Sequence, residues 1–141
     1  MQSSTDGPLL IPDNLSAGVQ SVINLGDAYT VTRAVVVVNS ITHSVVGDLI
    51  TTLISPAGTS VTLSANVGSS GDDYVSTVFD AGAATPIASG TAPFRGVYAP
   101  TGVLPNVTAQ TSKGTWTLKV ADDNSGAAGL LKSWTIALCG N

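Results

Sequence analysis

The sequence predicts an all-β domain of two packed antiparallel sheets, on three observations. Only 10% of the 141 residues are charged, against about 25% in an average soluble domain, and all the acids are Asp. The chain thus lacks the Glu and most of the Lys that coat exposed helix faces, which excludes helix bundles and coiled coils. The 43% hydrophobic content predicts a core rather than disorder, and short alternating segments recur between turns.

Strand-like segments follow one another along the chain, and turn residues separate them. The segment Thr30–Ser40 is apolar on both faces, which predicts a central strand that is buried on each side or covered by a neighbouring domain. The segments Asp48–Ser55 and Thr59–Ser64 flank the turn Pro56-Ala57-Gly58, and this arrangement predicts a hairpin. Two further short segments have the same strand character, Gln20–Leu25 and Tyr74–Phe79.

The clearest alternation lies near the C-terminus, in Thr115–Val120 and Ser133–Leu138. Each segment alternates apolar and polar residues, and its apolar face begins with a tryptophan, Trp116 or Trp134. We predict that both tryptophans pack in the core. We also predict that the two strands form a hairpin with a long loop rich in Asp, Asn and Gly. In all, the sequence predicts seven or eight strands and no helix.

Residues Ala81–Gly114 form a long irregular segment that holds four of the seven prolines. A loop of this length inside a compact domain is either functional or held against the body by its own apolar side chains. Within it, the stretch Phe94-Arg95-Gly96-Val97-Tyr98 combines two aromatic residues with an arginine. We expect these aromatic side chains to hold the loop in place rather than to form a binding platform.

The composition excludes several classes of function. A net charge of −4 and a pI near 4.4 leave no basic surface for nucleic acid, and no apolar run reaches the ~18 residues of a membrane span. His43 is the only histidine, and without a Gly-x-Ser-x-Gly motif we expect it to make a structural hydrogen bond and the chain not to be an enzyme. One histidine and one cysteine exclude a zinc site. We expect that cysteine, Cys139, to be a semi-buried free thiol facing away from the Trp134 side of its strand.

The aspartates indicate a calcium site, because they gather in loops and at strand ends. The pairs Asp72-Asp73 and Asp122-Asp123 are informative, since adjacent carboxylates repel each other unless a cation or solvent separates them. Calcium takes roughly six to eight oxygen ligands, which carbonyls of Gly- and Ser-rich loops can complete. No EF-hand pattern is present, so we predict ligands from separate loops: Asp48, Asp72, Asp73 and Asp80. Because a six-residue strand of about 20 Å separates the last two, they form either one site or two.

Five short motifs stand in one order along the chain: Gly47-Asp48-Leu49, Ser55-Pro56-Ala57-Gly58-Thr59, Thr77-Val78-Phe79-Asp80, Gly114-Thr115-Trp116-Thr117-Leu118 and Leu131-Lys132-Ser133-Trp134. With Ile11-Pro12-Asp13-Asn14 near the start, this series resembles the P domain, or homo B domain, of the proprotein convertases. It is most similar to the version that follows the catalytic domain in secreted bacterial subtilisin-like proteases and metalloproteases. The resemblance extends over about residues 9–139.

The resemblance implies a jelly-roll β-sandwich of the galactose-binding-domain-like class, formed by residues 9–141 and preceded by a leader of residues 1–8. It implies a non-catalytic domain of a secreted, extracellular protease, with a serine endopeptidase as the expected parent. In this family the domain stabilises the catalytic domain or assists its folding, and several bacterial members are associated with calcium.

Two alternative functions stay open, a protein-substrate-binding module and a carbohydrate-binding module. The partner that the resemblance implies is the catalytic domain of the parent protease, and the apolar outer side of Thr30–Ser40 is one candidate surface for that contact. We expect no nucleic acid or membrane partner, and a monomer in isolation.

Overall fold

The computed structural model describes all 141 residues, Met1–Asn141. Its ten strands are β1 (Gln2–Ser3), β2 (Leu9–Ile11), β3 (Leu15–Leu25), β4 (Val31–His43), β5 (Leu49–Ile54), β6 (Ser60–Ala65), β7 (Tyr74–Phe79), β8 (Gly96–Tyr98), β9 (Gly114–Asp122) and β10 (Gly129–Gly140). Three short 3-10 helices span Val46–Asp48, Ile87–Ser89 and Leu104–Val107. None of the helices has the length and apolar character that crossing a bilayer requires.

The strands form two sheets that pack face to face, which confirms the predicted β-sandwich. The larger sheet has six strands in the order β1-β10-β4-β7-β8, with β2 also paired to β10, and the smaller sheet has the order β3-β9-β5-β6. Strands that are neighbours in a sheet are mostly distant in sequence, so the chain crosses repeatedly between the layers, as in a jelly roll. The predicted hairpin of β5 and β6 is confirmed, with Leu53 opposite Val61.

Strand β4 lies at the centre of the larger sheet, between β10 and β7. Its inward residues Val36 and Val38 are fully buried, because they face the smaller sheet across the core. Val35 and Val37 alternate with them on the outer face and are half-buried. The predicted central position and the two apolar faces are therefore confirmed, but the outer face is only half-buried, so the strand is not buried on each side.

The predicted hairpin between the last two long strands is wrong. Strand β9 lies in the smaller sheet between β3 and β5, whereas β10 lies in the larger sheet beside β4. Residues 123–128 therefore cross from one sheet to the other instead of closing a hairpin. Both tryptophans are fully buried, as predicted, but Trp116 and Trp134 enter the core from opposite sheets.

The long segment 81–114 is held to the sandwich by its own side chains, as predicted. Ile87, Phe94, Leu104 and Val107 all belong to the hydrophobic core. The segment also contributes β8, an unpredicted strand that pairs in parallel with β7 at the edge of the larger sheet. The segment is thus a structural part of the fold and not a free loop.

Residues 1–8, which the sequence predicts as a leader, contact both sheets. Strand β1 pairs with β10 in the larger sheet, with Ser3 opposite Thr135. The Asp6 carboxylate accepts hydrogen bonds from the Ser21 hydroxyl, at 2.6 Å, and from the Val22 amide, at 2.9 Å, on β3 in the smaller sheet. The segment therefore links the two layers at one side of the sandwich.

Candidate functional site

The single histidine forms a buried hydrogen bond that joins the two sheets. His43 ends β4 in the larger sheet, and its Nε2 lies 2.9 Å from Oδ2 of Asp122, which ends β9 in the smaller sheet. Neither side chain is exposed to solvent. The second ring nitrogen, Nδ1, accepts a hydrogen bond from the Val45 amide at 3.0 Å, and Asp122 Oδ1 accepts one from the Asn124 amide.

These hydrogen bonds determine how the histidine is protonated and what it can do. Because the Val45 amide can only donate, Nδ1 of His43 must accept, and the proton of the neutral ring sits on Nε2 and points at Asp122. A general base needs a free nitrogen within reach of a substrate proton. Both nitrogens of His43 are occupied and shielded from solvent, so the histidine is structural, as the sequence analysis expects.

The end of the sandwich around His43 is held by further polar contacts. Asp73 closes a pair of hydrogen bonds with His43, since its Oδ1 accepts from the His43 amide and its own amide donates to the His43 carbonyl. The Asn66 side chain donates to the Gly47 carbonyl and to the carboxylate of Asp123. The loops at this end are therefore tied to one another by side chains from separate parts of the sequence.

The four predicted calcium ligands do not come together in one place. Asp48 is buried beside β5, while Asp72 and Asp73 precede β7 and Asp80 follows its other end. The carboxylate of Asp80 is occupied, because one oxygen pairs with Arg33 and the other accepts from the Gly82 amide. No group of three or more histidine, cysteine or acidic side chains is placed to hold a metal ion, so this set does not fit a single calcium site.

The aromatic residues of the long segment pack inward. Phe94 is fully buried, and its ring centroid lies 4.8 Å from that of Tyr74 and 6.1 Å from that of Tyr98. Tyr98 is half-buried against it, which leaves Arg95, Gly96 and Val97 exposed in this stretch. The expectation that these aromatics hold the loop in place is confirmed, and no flat aromatic platform for a sugar is formed.

Cys139 lies near the end of β10 on the outer face of the larger sheet, opposite Arg33 of β4. It faces away from Trp134, as predicted from the alternation of the strand. The expectation of a semi-buried thiol is wrong, because the residue is exposed. The next residue, Gly140, is exposed as well.

The fold and these contacts can be set beside known proteins. No curated protein matches the chain by sequence. The family described as the proprotein convertase P-domain matches residues 32–138, which is most of the chain. The chain belongs to the P-domain family. This finding confirms the resemblance drawn from the ordered motifs, and domains of this family are non-catalytic partners of proteases.

Solved structures share this fold. The P domain superposes on the crystal structure of a serine protease of Aeromonas sobria with a TM-score of 0.64 at 19% sequence identity. It superposes on the complex of that protease with the chaperone ORF2 with a TM-score of 0.65 at 21% identity. In each case 99% of this chain is covered but only 26% of the Aeromonas chain. The P domain thus spans about a quarter of the length of these proteins.

The partner of the buried histidine is the residue that the sequence analysis misses. Asp122 lies two residues beyond Val120 and four beyond Leu118, in the phase of β9 that faces the core. His43 lies two residues beyond buried Ile41 in the same way on β4. A histidine and an aspartate that both lie on buried faces are expected to hydrogen-bond to each other, because a buried polar group without a partner costs free energy. Extending the alternation of β9 by one step would have placed Asp122 inside, but the inward phase of β4 shifts between Val38 and Ile41, so alternation alone would not have placed His43 there.

Proposed function

We propose that this P domain is the non-catalytic accessory domain of a secreted bacterial protease, and that it stabilises the catalytic domain of the same polypeptide or assists its folding. The observation that carries the proposal is the family match over residues 32–138. The shared fold with a segment of the Aeromonas serine protease supports a serine endopeptidase as the parent and an extracellular location. The engaged and buried His43 supports the non-catalytic role, since it is the only histidine available for a triad.

The proposed stabilisation follows from linkage. A domain that binds the folded catalytic domain, and not its unfolded chain, adds to the free energy of unfolding of that domain. When the two are joined by a linker, the effective concentration is in the millimolar range, so an intrinsic Kd near 1 μM contributes about 4 kcal/mol. A contact of only micromolar intrinsic affinity is therefore enough for a large effect on the lifetime of the protease.

The second part of the proposal is a single calcium site at Asp72 and Asp73. Asp72 and Asp73 lie beside Thr42, His43 and Ser44 around an open hollow of about 410 Å³, and Asp72 has no hydrogen-bonded partner within the chain. Two carboxylates with water and hydroxyl oxygens make a weak site, in the range of about 10⁻⁴–10⁻³ M that is common in extracellular modules. We therefore propose weak calcium binding at this pair, without Asp48 and Asp80.

The experiment that tests the main proposal uses the full-length polypeptide that carries the domain. Removal of the P domain should lower the yield of folded protease and shorten the half-life of its activity at elevated temperature. If neither the yield nor the half-life changes, the accessory role is wrong. The isolated P domain should show no hydrolysis of casein, and sustained turnover by the pure domain would contradict the non-catalytic assignment.

A further inference from the structure

An open hollow of about 390 Å³ lies beside β8, at one edge of the larger sheet, between residues 85–91 and residues 95–98. It contains no acidic side chain, and we name it the Arg95 hollow after the one charged residue in its wall. Its polar side chains are Thr85, Ser89, Thr91, Arg95 and Tyr98. Each of these five side chains can donate a hydrogen bond, so the wall suits a ligand that is rich in acceptor atoms.

The chain itself does not use the donors of the Arg95 hollow. None of its five polar side chains forms a hydrogen bond or an ion pair within the domain, whereas the other arginine, Arg33, is paired with Asp80. Later in the same long segment, the side chains of Thr108, Gln110 and Ser112 all hydrogen-bond to protein groups. The second half of the segment is therefore tied down by its polar side chains, while those around the hollow are free for a ligand.

The backbone on both sides of Arg95 is fixed by the fold. Phe94 is fully buried and has a positive φ of 57°, which a bulky residue adopts only when its surroundings hold it there. On the other side, Gly96 pairs with Thr77 of β7. Arg95 itself is exposed between these two anchored neighbours. A cation on a fixed backbone loses less conformational entropy on binding than one on a free loop.

The backbone of β8 adds an open donor and an open acceptor at the same place. The Tyr98 carbonyl accepts from the Asp80 amide, so by alternation the backbone groups of Tyr98 point to β7 and those of Val97 point away from it. Two residues further, Ala99 also points away from β7, but residues 85–87 cover it through two backbone hydrogen bonds. Val97 lies in the wall of the hollow. Its N–H and C=O groups therefore form an edge position to which an extended peptide can add.

The other sheet edges are blocked, short or acidic. On edge strand β3, the Asp6 carboxylate accepts from the Val22 amide. On edge strand β6, the amides of Thr101 and Gly102 donate to strand carbonyls. Edge strand β1 has only two residues. Strand β8 thus differs from them, because it combines an open backbone position with a neighbouring cation.

The composition of the wall narrows the choice of ligand. Nucleic acid and anionic membranes require several cations, and the hollow has one. A sugar would stack on an open aromatic face, but the Tyr98 ring packs so closely on Gly90 that a Cβ atom added there would lie 2.7 Å from it. An extended peptide matches both features of the site. Its backbone can pair with Val97, and a carboxylate side chain can bind the guanidinium of Arg95 in bidentate fashion.

We propose that the Arg95 hollow binds an extended acidic peptide segment of a second protein. The backbone of the segment pairs with Val97 as an added strand, and the carboxylate of an Asp or Glu side chain binds Arg95. The hydroxyls of Ser89 and Thr91 are available to the remaining acceptor atoms of the peptide. This inference goes beyond the proposed stabilising role and does not depend on it, because the whole hollow lies within this chain.

The test is a titration of this chain with a short acetylated and amidated peptide of Ser and Thr residues around a central Glu. The matched peptide carries Gln in place of Glu. We expect the Glu peptide to bind about tenfold more tightly, because a hydrogen bond to a charged group contributes more than a neutral one. In NMR hydrogen-exchange measurements, saturation with the Glu peptide should slow exchange at the Val97 amide about tenfold. Exchange at the Gln20 amide, on edge strand β3, should not change.

Substitution of the arginine should remove the preference for Glu. Arg95→Gln should weaken binding of the Glu peptide about tenfold and leave binding of the Gln peptide unchanged. The matched control is Lys113→Gln, which removes the same charge from another exposed position and should change neither affinity by more than about twofold. If Arg95→Gln fails to fold, Arg95→Lys keeps the charge but loses the planar fork, and it should give the same loss in a weaker form.

Three results would overturn the inference. The first is equal affinity for the Glu and Gln peptides, or an equal effect of Arg95→Gln and Lys113→Gln. The second is unchanged exchange at the Val97 amide when the Glu peptide is bound. The third is Arg95-dependent binding of polygalacturonate without binding of the Glu peptide, since an acidic polysaccharide would then be the ligand. Each of these results leaves the accessory role untouched, because that role is decided by deletion of the P domain.

Discussion

His43 and Asp122 join the two sheets of the P domain through a hydrogen bond of 2.9 Å between side chains that have no exposure to solvent. The two residues are far apart in sequence and end strands that belong to different layers. The Val45 and Asn124 amides occupy the remaining acceptor atoms. The pair therefore connects the chain just after β4 with the chain just after β9 at one end of the sandwich.

The first prediction concerns the loss of one partner of this pair. Asp122→Ala should lower the free energy of unfolding by about 1–3 kcal/mol, because His43 is left buried with an unsatisfied N–H group. Asp122→Asn should recover only part of this loss, since its NH₂ group replaces one of the two oxygens that accept from His43 and from the Asn124 amide and cannot accept in its place. Equilibrium unfolding in urea measures the difference.

The matched control for that prediction is Asp27→Ala. Asp27 is exposed, and its carboxylate makes no hydrogen bond within the chain, so its removal should change stability by no more than about 0.5 kcal/mol. Equal losses in the Asp122→Ala and Asp27→Ala proteins would show that the buried pair contributes nothing beyond a general effect of charge.

A second prediction concerns stability at high pH. Burial raises the pKa of Tyr74 to about 12 from its usual 10.0, against a smaller opposing effect of the hydrogen bond from Ser64. Because the unfolded chain loses this proton first, stability is intact below pH 10 and falls between pH 10 and about 12. The loss over that window is about 3 kcal/mol. Tyr74→Phe should abolish this part of the slope, and the difference between the two unfolding curves at each pH isolates it.

Tyr74→Phe should also lower the free energy of unfolding at neutral pH, for a separate reason. The Tyr74 hydroxyl lies 3.1 Å from Ser64 Oγ, which lies 2.6 Å from Thr51 Oγ1, so a buried chain of hydroxyls links β7 to the smaller sheet. Tyr74→Phe removes the end of that chain and should cost about 1 kcal/mol at pH 7. If Tyr74→Phe lowers the free energy of unfolding by the same amount at pH 7 and at pH 12, ionisation of Tyr74 has no part in the alkaline transition.

The sequence predicts which residues face the core better than it predicts which sheet they belong to. The alternation around Trp116 and Trp134 correctly places both rings inside, because a period of two follows from strand geometry alone. The assignment of β9 and β10 to opposite sheets depends on partners such as Val22 and Val37, which are distant in sequence. A local pattern contains no information on those partners, and for this reason the predicted hairpin is wrong.

The lack of information on distant partners also explains why the predicted calcium ligands do not meet in one site. The turn-forming preference of Asp correctly places these residues in loops and at strand ends, but the fold decides which loops meet. Asp80 is drawn to Arg33 across a strand pair, and Asp122 to His43 across the core. The aliphatic outer side of β4, in contrast, was predictable, because an uninterrupted run of valines marks both faces of one strand without reference to its neighbours.

A third prediction tests the contact that links the N-terminal segment to the core. The Trp134 indole N–H donates to Ser21 Oγ at 2.9 Å, and the Ser21 hydroxyl donates in turn to Asp6. Ser21→Ala should lower the free energy of unfolding by about 1–3 kcal/mol, since it leaves a buried indole N–H without an acceptor. Thr115→Ala is the control, because its hydroxyl bonds only to Asn24 on the exposed face. An unchanged unfolding midpoint for Ser21→Ala, followed by tryptophan fluorescence, would contradict the role assigned to this contact.

A fourth prediction tests calcium at Asp72 and Asp73. Metal-stripped protein should gain about 3–5 °C in Tm when calcium is added to about ten times the Kd, and Asp72→Asn should abolish the gain. Asp73→Asn should abolish it too while keeping the fold, because an asparagine oxygen can still accept from the His43 amide and asparagine tolerates the positive φ of 70° at this position. The control is Asp80→Asn, which should retain the gain because Asp80 is paired with Arg33. A wild-type protein whose Tm does not respond to calcium would remove the ion from the account of this domain, and a response lost only in Asp80→Asn would move the site to the other end of β7.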